Sequence, residues 1–96
     1  MIFGFLGFGK MASALVQGML QADVCKPEQI FVVNRHPETI QEDVEKYQLS
    51  HAHSPKRLVQ QAETIVLGTK PADSVQLLRE VRQDLDGKLL IYPSFE

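Results

Sequence analysis

Cysteine is nearly missing from this chain: Cys25 is the only one in 96 residues, so no internal disulfide can form and a reducing compartment is the natural setting. Long hydrophobic runs are missing too. No stretch approaches the roughly 20 apolar residues of a membrane-spanning helix. Residues 1–9 carry no basic stretch of the kind that opens a signal peptide, so a cytoplasmic location is expected. Charge of one sign is not in excess either. Ten Lys and Arg against 12 Asp and Glu leave a formal net charge of −2, which offers no footprint for nucleic acid or an anionic membrane. There are no internal repeats, linkers or low-complexity segments. What remains is 44% hydrophobic and 23% charged, ordinary for a single globular domain of this length.

Against that background one stretch stands out. The mostly apolar run Ile2 to Leu6 leads into Gly7-x-Gly9-x-x-Ala12, and a helix-forming run, Ser13 to Ala22, follows at once. Strand, glycine turn and helix in that order suit a dinucleotide pyrophosphate. Gly7 permits the tight turn, Gly9 has no Cβ to hold phosphates away, and Ala12 lets helix and strand pack closely. The helix N-terminus adds unpaired N–H groups and a partial positive charge. Gly4 to Lys10 also reads as the start of a nucleoside-triphosphate loop. That motif needs Ser or Thr next to hold magnesium, and Met11 has no such oxygen.

The rest of the chain alternates. A first helix is expected from about Lys10 to Ala22, with Met11, Leu15, Met19 and Leu20 inward. Cys25 lies in the polar break after it and reads as inert. Gln29 to Val33 reads as the second strand, and Pro37 opens a helix whose stripe is Ile40, Val44 and Tyr47. Leu49 to His53 is a short third strand. Ser54 and Pro55 cap and start a third helix with Leu58, Val59 and Ala62 inward. Thr64 to Gly68 is the continuous apolar run of a buried parallel strand. A fourth helix is expected from Pro71 to about Leu85, stopped by Asp86-Gly87, and Lys88 to Tyr92 is the fifth strand. This is the pattern of a doubly wound, Rossmann-type α/β sheet of five parallel strands in the order 3-2-1-4-5. A ligand would lie outside the carboxyl ends of strands 1, 2 and 4.

Those ends carry the chemistry. A fold of this kind that binds NAD usually has Asp or Glu closing strand 2, to accept from the ribose hydroxyls. Here Asn34 stands there, followed by Arg35. A carboxylate would repel a 2′-phosphate, whereas an amide and a guanidinium can hydrogen-bond to it. That points to NADP(H); the alternative is a solvated surface arginine. Lys10 either adds positive charge near the pyrophosphate or points into water. Lys70 stands at the end of strand 4 with the same two readings, and Pro71 suffices as a helix start. His51 and His53 share one strand face, but no carboxylate or cysteine completes a metal site, so solvated histidines are expected.

Three segments, Gly4-Phe-Leu-Gly-Phe-Gly-Lys-Met-Ala12, Val33-Asn34-Arg35 and Leu67-Gly-Thr-Lys-Pro71, resemble the N-terminal domain of pyrroline-5-carboxylate reductases and their relatives, such as the late-competence reductase-like proteins of bacilli. The motifs match in order over nearly the whole chain. The resemblance implies that Gly7, Gly9, Lys10, Met11 and Ala12 hold the pyrophosphate and that Asn34 and Arg35 hold the 2′-phosphate. It also implies that Thr69, Lys70 and Pro71 lie near the nicotinamide half. The family usually has Asn where this chain has Lys10. It also continues past strand 5 into a C-terminal helical domain that makes the dimer and much of the imino-acid site. That domain has no counterpart in these 96 residues; a truncation, a degenerate gene product and a stand-alone domain all fit.

The function implied is an NADP(H)-binding domain of a reductase that delivers hydride to a cyclic imine, giving proline. No catalytic residue is assigned, and the chain alone is expected to be inactive. The alternative is a non-catalytic nucleotide-binding module with a regulatory or partner-binding role; a domain that binds nothing is a third. Strand 5 has no following helix to cover it, so self-association through it is expected.

Overall fold

The computed structural model describes residues 1–68, 76 and 78–91. Five parallel strands form one sheet in the order β3-β2-β1-β4-β5. They are β1 (Phe3–Leu6), β2 (Ile30–Val33), β3 (Ser50–His51), β4 (Thr64–Leu67) and β5 (Leu89–Ile91). The central strand β1 pairs with β2 from Phe3↔Ile30 to Leu6↔Val33 and with β4 from Phe3↔Thr64 to Leu6↔Leu67. The three strands therefore end level, and their carboxyl-end loops emerge side by side. This is the doubly wound order expected from the alternating pattern.

Side-chain alternation sorts the core onto two faces of the sheet. Phe5, Ile30, Val32 and Val66 pack with Ala12 and Val16 of α1 (Lys10–Gln21) and Val44 of α2 (Gln41–Tyr47). Leu6, Ile65 and Leu67 pack on the other face with Leu58 and Val59 of α3 (Pro55–Gln61) and with Val81. Burial on both faces is why β4 reads as an unbroken apolar run. Gly4 explains how closely α3 approaches. A Cβ there would stand 2.5 Å from Leu58 Cδ2 and 2.9 Å from Ala62 Cβ, so only glycine fits under the helix. Ser54 caps α3 as expected, its hydroxyl accepting from Arg57 N at 3.2 Å.

The structure corrects the inward stripe of α1. Met11 and Leu15 are 41% and 37% exposed, while Ala12 and Val16 are buried and Met19 and Leu20 are half-buried against the core. The glycine turn sets the helix phase so that Ala12 faces the sheet. One residue is a rotation of about 100°, which turns Met11 and Leu15 toward the rim.

The helix expected from Pro37 is also different. Pro37–Thr39 is a single 3-10 turn, and α2 starts only at Gln41. The His36 carbonyl, which would have accepted from Ile40 N in an α-helix, is taken instead by Thr39 N at 3.0 Å and Thr39 Oγ1 at 2.8 Å. Side-chain bonding here competes with the helical ladder.

Of the fourth helix, Gln76 and residues 78–81 are described as helical, and 82–84 form a turn closed by Asp84 N to Val81 O at 2.8 Å. The helix therefore ends short of Leu85, which still packs half-buried against the core. Its expected start at Pro71 lies outside the described residues. β5 pairs with β4 from Thr64↔Leu89 to Val66↔Ile91, yet Leu89, Leu90 and Ile91 are 60%, 43% and 39% exposed.

Candidate functional site

The site is built on the carboxyl ends of β1, β2 and β4. Gly7 turns the chain out of β1 at φ 83°, a conformation that suits glycine, and its N–H donates to Val33 O at 2.7 Å. On the other side Gly68 N donates to Leu6 O at 3.0 Å, and Gly9 N donates to Gly68 O at 3.1 Å. A Cβ on Gly68 would lie only 2.3 Å from Gly7 O and 3.0 Å from Ala12 Cβ. Gly68 is thus what lets the glycine loop and the end of β4 touch.

Gly9 is different. Among the described residues, a Cβ there would meet nothing closer than Gly68 O at 3.4 Å, an ordinary contact. Packing against the described residues does not demand glycine at this position. Gly9 is also the N-cap of α1, has extended backbone and supplies no side-chain cap, and the first turn carries no acidic residue. The first N–H groups of a helix lack intrahelical partners, so the surface above Gly9 is one where backbone donors and the positive helix end face outward. Lys10 and Met11 flank it as exposed side chains, while Ala12 is buried below.

The end of β2 is tied to this loop by a side chain. Asn34 Oδ1 accepts from Phe8 N at 3.1 Å, and Asn34 Nδ2 donates to His36 O at 3.2 Å and, at 3.4 Å, to Thr39 Oγ1. Next to it Arg35 is exposed and, among the described residues, makes no hydrogen bond or ion pair. His36 Nδ1 stands 3.6 Å from Glu38 Oε1, with both side chains mostly in water. Such an exposed pair contributes little. A cleft of about 180 Å³ runs beside the loop, lined by Val33, Asn34, Arg35, Pro55 and Glu80.

Of the residues expected at the site, the structure brings Gly7, Gly9, Lys10, Met11, Ala12, Asn34 and Arg35 to the carboxyl end of the sheet; Thr69, Lys70 and Pro71 lie outside the described residues. The Phe8 amide, Thr39, Pro55 and Glu80 were not among them. Pro55 and Glu80 had no signal, because elements far along the chain carry them to the cleft.

His51 Nε2 lies 3.1 Å from Gln41 Oε1, and among the described residues no group of three or more His, Cys, Asp or Glu is gathered that could hold an ion. Burial pushes the Cys25 thiol above its ordinary pKa, partly offset by the positive chain N-terminus. No helix among the described residues is long and apolar enough to cross a membrane.

With the three strand ends in place, comparison with known proteins is decisive about kinship. The family described as NADP oxidoreductase, coenzyme F420-dependent, matches residues 2–94. The chain belongs to that family. Within it, the likeness to pyrroline-5-carboxylate reductases holds. Pyrroline-5-carboxylate reductase 2 of Bacillus subtilis is 32% identical over 89 residues, covering 92% of this chain and 32% of that protein. The crystal structure of Plasmodium falciparum pyrroline carboxylate reductase with NADP bound superposes with a TM-score of 0.80 at 28% identity, over 95% of this chain and 32% of that one. An imine reductase from Myxococcus stipitatus in complex with NADP+ gives 0.79 at 29% identity, over 96% of this chain and 31% of that one. The chain spans about a third of the length of the relatives it matches.

Proposed function

We propose that this chain is the NADP(H)-binding domain of an imine-reducing oxidoreductase of the pyrroline-5-carboxylate reductase type. The observation that carries the proposal is the carboxyl end of β1 and β2, where Gly9 opens a helix and Arg35, exposed, makes no hydrogen bond or ion pair among the described residues. The pyrophosphate would sit against the backbone N–H groups that open α1, since those of Gly7, Phe8 and Gly9 already have protein acceptors, and no described side chain crowds Gly9. Arg35 would meet the 2′-phosphate, and the adenine would enter the cleft between Arg35, Pro55 and Glu80. Thr69, Lys70 and Pro71 would take the nicotinamide side.

When bound, NADPH supplies a hydride to the C=N carbon of a cyclic imine, and the nitrogen takes a proton to become the secondary amine of proline. The chain's own part is binding and orientation. Since orientation of both reactants accounts for much of a catalysed rate, the 96 residues alone should bind NADPH yet show no imine-dependent NADPH oxidation. Calorimetric titration of NADPH and NADH, followed by an imine-reduction assay, tests both halves. Failure to bind either cofactor would overturn the reading. Binding without turnover, even when the remaining two thirds of a relative is supplied, would favour a non-catalytic nucleotide-binding module.

A further inference from the structure

The Asn34 side chain has a limited inventory: one amide oxygen that accepts and one NH2 with two protons to donate. The oxygen receives the Phe8 amide of the glycine loop. Both protons are directed into the next loop, one to His36 O and one to Thr39 Oγ1. Thr39 Oγ1 in turn donates to His36 O, leaving its lone pairs for Asn34. A phosphate dianion only accepts hydrogen bonds. Asn34 therefore has no donor to offer a 2′-phosphate unless it gives up a bond that shapes the Arg35 loop.

We infer that Asn34 is a positioning residue that couples the two phosphate sites, holding the glycine loop through Phe8 N and the Arg35 loop through His36 O and Thr39. This rests on the NADP(H) reading above and deepens it. Asparagine is needed because it is acceptor and donor at once. An aspartate in its place would keep the Phe8 bond but would face the His36 carbonyl with no proton between two oxygens. An aliphatic residue would lose both links. Arg35 is then left as the side chain that meets the 2′-phosphate, and its aim depends on the Asn34 bridge.

The coupling has a signature that neither a direct phosphate ligand nor a purely structural residue shares. Because Asn34→Ala disturbs both loops, NADH affinity should fall about threefold and NADPH affinity about 30-fold, in line with one and two to three lost hydrogen bonds. The effects of Asn34→Ala and Arg35→Ala on NADPH should not add: Arg35→Ala should cost far less when Asn34 is already gone. Loss of NADPH affinity alone would make Asn34 a direct ligand and overturn the inference. Equal loss for both cofactors, additive with Arg35→Ala, would reduce it to a structural residue and overturn it too.

A second measurement needs no cofactor. Thr39→Val alters the Arg35 loop without touching Phe8, and hydrogen exchange at the Phe8 amide should rise in both Thr39→Val and Asn34→Ala but not in Arg35→Ala. An unchanged Phe8 amide in Thr39→Val would overturn the coupling even if the chain bound neither cofactor, an outcome that would count against the NADP(H) reading alone.

Discussion

β4 and β5 are neighbours in the sheet, paired in parallel, and both are short runs rich in aliphatic residues. Every residue of β4 is buried; every residue of β5 is exposed. Their shared aliphatic content does not separate them. What differs is coverage. β4 lies between β1 and β5 with Leu58, Val59 and Val81 on one face and Ala12 and Val16 on the other, whereas β5 is the last strand of the order. An apolar strand pattern reports that a strand can be buried, not that it is.

The contrast should be largest in stability. Leu67→Ala removes a fully buried side chain and should cost about 2–5 kcal/mol, whereas Leu90→Ala on exposed β5 should stay within about 1 kcal/mol. Urea unfolding of both variants gives the comparison; similar midpoints would show that β5 is covered in solution. The next effect moves from the strands to the β2 end of the sheet. Arg35→Ala should leave stability unchanged while lowering NADPH affinity about tenfold toward that of NADH, the worth of roughly 1.4 kcal/mol. Equal loss for both cofactors in calorimetry would mean that Arg35 serves the adenine or the fold.

A smaller effect, visible only with concentration, belongs to the β5 edge. An exposed apolar edge strand invites pairing with a second copy, so the chain should self-associate and Leu90→Glu should weaken this. Light scattering that shows a clean wild-type monomer at high concentration would count against it. Smallest is the reactivity of Cys25. Its pKa is raised by burial, so less thiolate exists near neutral pH, and alkylation should run slower than for a free thiol and speed up as pH rises.

The sequence carried most of the frame. The glycine turn, the Ser54 cap and the five-strand alternation were legible because each depends on residues close in the chain: a positive φ, a hydroxyl reaching three residues on, a period of two or 3.6. The phase of α1 was not. Met11, Leu15, Met19 and Leu20 form as good a stripe as Ala12, Val16, Met19 and Leu20, and only the seating of Ala12 against the sheet chooses between them. Asn34 was legible as the residue that follows β2, but the use of its amide was not. Its first partner, the Phe8 amide, is 26 positions away and meets it only when β1 and β2 end level.

By itself, then, the sequence determined which elements form, their order, and the small residues at the turns, since these follow from backbone sterics and short-range periodicity. The tertiary structure decided which face of α1 is buried, that Gly68 must yield to Gly7 O, that Asn34 spends its donors on the protein, and that β5 stays bare. Those outcomes depend on atoms brought together from remote parts of the chain, where distance and coverage, not residue type, set the energy.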